Sequence, residues 1–148
     1  MTTYTDITYH IVFATKHRLR VLDTAGREDL FRFMWGVTKE RNCHLYRIGG
    51  VEDHVHMLVS LHPSIALADL IKELKTASSA WIKAEKIFPH FEHWQDGYGA
   101  FTVAAEARPS LIEYIKNQEA HHRTLSFIEE LKAMAEVAGL EWKPQYLP

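Results

Sequence analysis

The sequence lacks several features that mark specialised classes of protein. It has a single cysteine, Cys43, which excludes an intrachain disulfide and any cysteine-rich zinc site. No segment approaches the run of about 18 apolar residues that a membrane span needs. The N-terminal residues carry neither the basic region nor the apolar run of a secretory signal. We therefore expect a cytoplasmic protein.

The chain also lacks an excess of positive charge. Its formal net charge is −2 at pH 7, which counts against indiscriminate binding to duplex DNA. A nucleic-acid partner would have to meet a local patch instead. Lys16, Arg18 and Arg20, which follow the first predicted strand, form one candidate, and a solvated loop explains the same three residues equally well.

Length and hydrophobic patterning favour one compact α+β domain over residues 1–148. Its 47% apolar and 24% charged residues are ordinary for a soluble globular protein. The patterning predicts strands over residues 4–13, 44–48, 54–61 and 100–104, and helices over 24–41, 66–84, 110–124 and 127–137. We expect the first strand to bury one face only, and Ser64 to cap the second helix. The order β-α-β-β-α-β, followed by helices, is the ferredoxin-like (RRM-like) arrangement.

Two histidines lie on one face of the third predicted strand. Side chains alternate along a strand, so His54 and His56 emerge on the same side, about 7 Å apart. Two imidazoles held in this way can share one divalent metal ion, and they can also form a hydrogen-bonded pair at the start of a strand. The first and third strands are central neighbours in the predicted topology, so His10 is expected near this face.

The third predicted helix carries Tyr114 and Gln118 one turn apart, and His121 continues the same stripe. In a purely structural helix the tyrosine would lie at the edge of the core and the histidine in solvent. If the helix meets the histidine pair, Gln118 offers a carbonyl oxygen as a third metal ligand. Three protein ligands with open positions are the layout of a catalytic metal site. Tyr114 would then be a nucleophile, although its ordinary pKa of about 10 requires help in removing the proton and the sequence names no dedicated base.

Four segments of the sequence together resemble a known family. They are YHIVFATKHR at 9–18, DHVHML at 53–58, WQDGYGAF at 94–101, and YIKNQ at 114–118 followed by two histidines at 121 and 122. The His-hydrophobe-His motif (HUH) with a Tyr-x-x-x-Gln helix is similar to the single-tyrosine HUH transposases of the smallest bacterial insertion sequences. Their relatives include the REP-associated tyrosine transposases. The similarity runs almost from end to end.

The resemblance implies a dimer that acts on single-stranded DNA with hairpins. Tyr114 would attack the scissile phosphate and leave a 5′-phosphotyrosine and a free 3′-hydroxyl, and a later attack would rejoin the strands. His54, His56 and Gln118 would hold Mg²⁺ or Mn²⁺, and the tyrosine helix could dock against the partner's HUH motif. Histidine ligands suit Mn²⁺ better than Mg²⁺, which prefers oxygen ligands, so the sequence does not decide which of the two ions is bound. The resemblance also implies that Lys16, Arg18 and Arg20 contact DNA, and that His10 and His121 support the metal ligands from behind.

Two other classes of enzyme with paired histidines would need different residues after His56. A histidine-triad nucleotide hydrolase would need a histidine in place of Leu58, and a His-x-His-x-Asp-His metallo-hydrolase would need Asp and His in place of Leu58 and Val59. A non-catalytic or domesticated hairpin-binding module remains the alternative, although the central strands lack the aromatic signature of RNA-binding domains. Trp94 and Tyr98 could stack on unpaired bases, but a core position is favoured for both.

Overall fold

The structure is a computed structural model that describes residues 3–144, so two residues at the start and four at the end of the predicted domain lie outside the described residues. The strands are β1 (Thr8–Ala14), β2 (His44–Gly50), β3 (His54–Ser60) and β4 (Gly99–Thr102). The helices are α1 (Thr24–Glu40), α2 (Leu67–Glu85), α3 (Arg108–Lys116), α4 (Gln118–His121) and α5 (Phe127–Val137). Among the helices of residues 3–144, none combines the length and hydropathy of a membrane span.

The four strands form one antiparallel sheet in the order β2-β3-β1-β4. The first and third strands are therefore central neighbours, with Val12 opposite His56 and Ala14 opposite His54. The crossover helices α1 and α2 contact each other, and α1 also contacts β2. This order confirms the predicted ferredoxin-like arrangement.

The first face of the sheet carries an apolar core. Ile11 and Phe13 of β1 and Met57 of β3 are fully buried there, because alternate residues of a strand point to the same side. The two crossover helices supply their apolar stripes to the same core, at positions Leu30, Met34, Leu70, Ile71 and Leu74.

The second face of the sheet is also buried, and the prediction that β1 has one exposed face is wrong. Val12 and Ala14 pack there against Phe127 of α5. Thr8 and His10, on the same side of β1, are 3% and 5% exposed. The reason is that the segment after β4 folds back over the sheet, which the alternation of a single strand cannot reveal.

Several element boundaries differ from the sequence-based ones. β1 begins at Thr8 rather than at residue 4, since its pairing with β3 ends where Thr8 meets Ser60. α2 begins at Leu67 with Ala66 in the cap position, so the prediction that Ser64 caps it is wrong. The Ser64 hydroxyl instead bonds the ring of His62 at 2.7 Å, within a turn that precedes the helix.

The predicted helix over 110–124 is broken into two pieces. α3 ends at Lys116, and Asn117 has φ −98° and ψ 24°, outside the helical region. The Asn117 backbone N–H is shared between the carbonyls of Glu113 and Tyr114, at 3.1 and 3.3 Å, as is common at helix ends. Asparagine is a poor residue for a helix interior because its side chain competes for backbone hydrogen bonds. α4 then starts afresh at Gln118.

Two glycines give a matched test of how α3 rests on the sheet. A Cβ at Gly49 of β2 would lie 2.5 Å from the backbone oxygen of Ile115, whereas a Cβ at Gly36 of α1 would meet nothing within 4 Å. We expect Gly49→Ala to lower the free energy of unfolding by about 1–3 kcal/mol, because backbone must move. Gly36→Ala should raise it by about 0.5–1 kcal/mol. Urea denaturation of both variants measures this, and equal effects would contradict the close packing of α3 on β2.

Candidate metal and nucleophile site

His54 and His56 lie on the second face of the sheet, and both are fully buried. Their ring centroids are 5.1 Å apart. The HUH strand therefore presents both imidazoles to the same space, between the sheet and the segment formed by α3, α4 and α5. Each ring is held by a different neighbour.

His10 holds the ring of His56. Its Nε2 lies 2.7 Å from Nδ1 of His56, and the rings stack with centroids 5.0 Å apart. Burial lowers the pKa of His10 to about 3 and that of His56 to about 4. Both rings are therefore neutral near pH 7, and one donates a hydrogen bond to the other. His10 thus lies on the same face as the histidine pair, in contact with His56.

Asp53 holds the ring of His54. Nδ1 of His54 donates to the Asp53 carboxylate at 2.7 Å, and Nε2 of His54 lies 3.4 Å from a carboxylate oxygen of Glu130. Burial alone would lower the pKa of His54, but its bonds to Asp53 and Glu130 outweigh burial and raise the pKa to about 9. His54 is therefore the positively charged member of the pair.

Glu130 of α5 occupies the centre of the site and is 1% exposed. Its Oε1 lies 2.8 Å from Nε2 of His56 and 3.1 Å from Nε2 of His122, in addition to the His54 contact. Burial would raise the pKa of this carboxyl, but its bonds to the three histidines hold that pKa far below the usual range. Glu130 is therefore a carboxylate surrounded by imidazole.

Tyr114 reaches the same carboxylate from α3. Its hydroxyl donates a hydrogen bond to Oε2 of Glu130. Burial, together with the hydrogen bond and negative charge of Glu130, raises the pKa of Tyr114 well above its ordinary value. The phenol is thereby held in its protonated form.

Gln118 completes the contacts from the start of α4 and is 1% exposed. Its Oε1 lies 3.2 Å from Nε2 of His54, and its Nε2 donates to Oε2 of Glu130 at 3.2 Å. The structure therefore brings Tyr114, His54, His56 and Gln118 together within one chain, as the predicted convergence of strand and helix requires.

The two consecutive histidines after Gln118 have different environments. The His121 ring packs against the Tyr114 ring with centroids 4.5 Å apart. The His122 ring instead faces Glu130, and its Nδ1 donates to the backbone oxygen of Leu125. His121 thus lies beside the ring of Tyr114, and His122 joins the cluster around Glu130.

The three cations of the predicted DNA patch lie on the loop after β1. Lys16 and Arg18 belong to a short 3-10 turn, and Arg20 is close enough to Asp53 for its charge to help lower the pKa of that carboxyl. The Asp53 backbone oxygen accepts from the Thr15 N–H at 2.9 Å, so this loop borders the turn that leads into His54.

The two aromatic residues considered for base stacking have different exposures. Trp94 is 4% exposed and packs edge-on against Phe13, so it belongs to the apolar core. Tyr98 is 37% exposed, and the core position predicted for it is wrong because it lies at the surface just before β4.

The donor atoms at this site suit a divalent metal ion. One ligand atom from each of His54, His56, His122 and Glu130 lies within 4.8 Å of the other three. Imidazole nitrogens together with a carboxylate or amide oxygen are ligands for first-row transition ions. The Gln118 oxygen lies at the same place, so more than one ligand set can be drawn from these residues.

Comparison with known proteins decides the family. Residues 3–118 match the model of a family described as "Transposase IS200 like". The chain belongs to this family. The transposase is 26% identical over 117 residues to the ISDra2 transposase TnpA of Deinococcus radiodurans. The aligned region covers 74% of this chain and 82% of that protein. It is 27% identical over 115 residues to the transposase of insertion sequence element IS200 of Salmonella typhimurium, covering 74% and 75%.

Two solved structures share the fold of this transposase. A crystal structure of a Deinococcus radiodurans protein described as a transposase superposes with a TM-score of 0.63 at 27% identity, covering 80% of this chain and 95% of that one. A REP-associated tyrosine transposase bound to a REP hairpin also gives 0.63, at 15% identity, covering 82% and 74%. The second likeness, at that identity, concerns the fold alone.

The sequence reasoning missed Glu130 and gave His122 no role. Both follow residue 118, where the match to the family model ends. A signal for Glu130 was present, because Phe127, Glu130 and Leu131 share one face of α5 at helical spacing. A carboxylate on an otherwise apolar stripe is costly to bury unless it is paired, and it marks a polar cluster.

The charged state of His54 gives a prediction for stability against pH. The pKa of His54 is about 9 in the folded transposase and about 6.5 in the unfolded chain. The protonated ring therefore stabilises the folded state fully below pH 6.5, and this stabilisation is lost as the pH rises through 9. In chelator, we expect the free energy of unfolding to fall by up to about 3 kcal/mol across this window.

Asp53→Asn should flatten this dependence because it removes the charged acceptor from Nδ1 of His54. Urea denaturation at several pH values between 6.5 and 9 compares the two proteins. The pKa values of His10 and His56 are lowered by folding, so these two residues make the folded state less stable as the pH decreases below 6.5. Their effect therefore lies outside the pH range of this test. Parallel curves for wild type and Asp53→Asn would contradict the assignment of the charge to His54.

Proposed function

We propose that this transposase cuts and rejoins single-stranded DNA through a covalent bond to Tyr114. The observation that carries the proposal is the meeting of the Tyr114 hydroxyl, the His54–His56 pair and the Gln118 amide around one buried carboxylate. A nucleophile beside a group of metal ligands supplies what phosphodiester transfer needs.

In the proposed reaction the phenol oxygen bonds to the scissile phosphorus, and the bond from phosphorus to the 3′ oxygen breaks. The phenol loses its proton, and the departing 3′ oxygen gains one. Attack by another 3′ hydroxyl on the 5′-phosphotyrosine forms a new phosphodiester and releases the phenol. Each step exchanges one phosphate ester for another, so no nucleotide is hydrolysed.

A divalent ion, Mg²⁺ or Mn²⁺, is the proposed cofactor, with His54, His56 and Gln118 as its ligands. When bound, the ion would polarise a phosphate oxygen as a Lewis acid. The donors fit such an ion, because the Gln118 oxygen lies 3.2 Å from Nε2 of His54 and both rings are oriented from behind by Asp53 and His10. Partners of this kind fix the direction in which a ligand nitrogen points.

The raised pKa of Tyr114 sets a requirement on this reaction. Burial and Glu130 hold that pKa well above its ordinary value, so the bond to Glu130 favours the neutral phenol over the attacking phenolate. The ligands His54, His56 and Gln118 are at most 1% exposed, so a phosphate has no access to them in this arrangement. We propose that entry of DNA separates Glu130 from the phenol, which lowers the pKa of Tyr114 and opens the ligands.

The proposed partner is single-stranded DNA with hairpins, and the proposed assembly is a homodimer, as the family resemblance implies. The solved REP-associated relative is bound to a REP hairpin. In this chain Lys16, Arg18 and Arg20 border the site, where cations can contact phosphates and position a strand. The nucleophile and ligands meet within one chain, so the proposed site needs no side chain from a second protomer.

The first test concerns the nucleophile. Tyr114→Phe should abolish covalent attachment to a labelled pool of hairpin-bearing single strands in Mn²⁺, while hairpin binding stays within about threefold, because only the hydroxyl is lost. Denaturing gels detect the adduct and filter binding measures affinity. Tyr4→Phe, at a residue that is 91% exposed, is the matched control and should form the adduct normally. Covalent product in Tyr114→Phe would place the nucleophile elsewhere, and binding without any adduct in wild type would favour the hairpin-binding module.

The second test concerns the metal ligands. His54→Ala and His56→Ala should each lower Mn²⁺-dependent cleavage by more than about a hundredfold. Loss of a group that merely supports a metal ligand costs up to about a hundredfold, and loss of a ligand itself should cost more. His62→Ala, at an exposed position just after β3, is the control. Cleavage is followed with Mn²⁺, with Mg²⁺ and in chelator. Wild-type rates for either ligand variant in chelator would reject a metal-dependent reaction.

A further inference from the structure

Three imidazole nitrogens converge on a single carboxylate oxygen. Nε2 of His54, His56 and His122 lies 3.4, 2.8 and 3.1 Å from Oε1 of Glu130. All four side chains are at least nine-tenths buried, with exposed fractions of 0%, 0%, 9% and 1%. Such a cluster has little access to solvent, so its charges must be balanced from within.

The other ring nitrogens show which way the imidazoles are oriented. The Asp53 carboxylate and the Leu125 carbonyl can only accept hydrogen bonds, so Nδ1 of His54 and of His122 carries a hydrogen. Nε2 is therefore the nitrogen of each ring that faces Glu130 and that could bind an ion, at 3.4 Å from Oε1 in His54 and 3.1 Å in His122. Histidines that ligate metals have this arrangement, with the far N–H bound to a carboxylate or a backbone carbonyl.

The spacing also suits a small ion. A tetrahedral Zn²⁺ site has ligand bonds of about 2.0–2.1 Å, which puts the ligand atoms about 3.3 Å apart. The four ligand atoms here lie within 4.8 Å of one another. To reach a tetrahedral site, the two most distant ligand atoms would have to approach each other by about 1.5 Å, a movement shared between two side chains. Movements of this size need no change in the backbone.

We propose that His54, His56, His122 and Glu130 form a closed, four-ligand site for a transition-metal dication, best filled by Zn²⁺. Three nitrogens and one carboxylate oxygen suit Zn²⁺, whereas Mg²⁺ prefers oxygen ligands. This ligand set differs from the His–His–Gln set of the proposed function, because two of its members come from the segment beyond residue 118. It shares the histidine pair with that function and rests on no step of the DNA reaction.

The shared histidines make the two sites mutually exclusive. A Zn²⁺ ion bound to all four side chains ties α5, which carries Glu130, to β3, which carries His54 and His56. It also has no open position for a phosphate oxygen, which is the property of a structural rather than a catalytic site. Zn²⁺ is therefore expected to compete with the ion that supports cleavage.

The test uses the full chain and Zn²⁺ itself. Calorimetric titration of the chelator-treated protein should show one Zn²⁺ per chain, and at about one hundred times Kd the ion should raise Tm by about 5–10 °C. Glu130→Gln and His122→Ala should each weaken Zn²⁺ binding by at least about tenfold. His121→Ala, the adjacent histidine, is the matched control and should change the affinity by less than about twofold. Far-ultraviolet circular dichroism checks that each variant is folded.

Two further measurements separate the ligand sets. Gln118→Ala should weaken Zn²⁺ binding less than Glu130→Gln or His122→Ala does, because Gln118 only supports Glu130 in that site, whereas it should remove a ligand from the Mn²⁺ centre of the proposed function. Co²⁺ in place of Zn²⁺ should give the intense visible absorption of a tetrahedral ion, and His122→Ala should lose it. Absence of stoichiometric Zn²⁺ binding would overturn the four-ligand site, as would Zn²⁺ binding that survives both Glu130→Gln and His122→Ala. DNA cleavage in Mn²⁺ is scored separately, so either proposal can fail while the other stands.

Discussion

One buried carboxylate holds together the polar cluster on the second face of the sheet. Glu130 accepts a hydrogen bond from Tyr114, its Oε1 lies 2.8 Å from Nε2 of His56 and 3.1 Å from Nε2 of His122, and it lies beside the charged ring of His54. Placing a carboxylate in a protein interior costs several kcal/mol unless neighbouring donors and charges compensate for the lost water. Here the imidazoles and the phenol provide that compensation. The members of such a network are coupled, so removing one of them changes the protonation and position of the others.

The sheet separates two kinds of core that obey different rules. Its first face is covered by aliphatic and aromatic side chains of α1 and α2, where packing and burial of apolar area provide the stability. Its second face mixes apolar contacts, such as Val12 with Phe127, with the histidine and carboxylate cluster. The first face tolerates substitutions of similar shape, whereas the second depends on the number and direction of its hydrogen bonds.

Local periodicity was sufficient for the framework of the fold and for half of the site. The alternation of β3 placed His54 and His56 on one face, and the spacing of one helical turn placed Tyr114 beside Gln118. Both are short-range properties of a backbone. The β-α-β-β-α-β order then implied that the strand and the helix could meet, although which chain segment covers the second face was not contained in any local pattern.

His122 and Glu130 were missed because their positions also depend on tertiary packing. A continuous helix predicts the contact of His121 with Tyr114, which the structure also has, but the helix is broken at Asn117 and His122 beyond the break faces Glu130. Glu130 itself was hidden because its helix is amphipathic and its role depends on partners that lie 8 to 76 positions away in sequence, from His122 to His54. Such contacts follow from tertiary packing, which helix propensity does not report.

The contact between Gly49 and Ile115 has a consequence for how the phenol is located. At this point α3 rests on the bare backbone of β2, and Tyr114 is the adjacent residue of the helix. The height of the phenol above the histidines is thus set by main-chain atoms of the sheet rather than by the size of an intervening side chain. Substitutions elsewhere in the apolar core can accumulate without changing this spacing, so the position of the phenol is insulated from drift in the rest of the sequence.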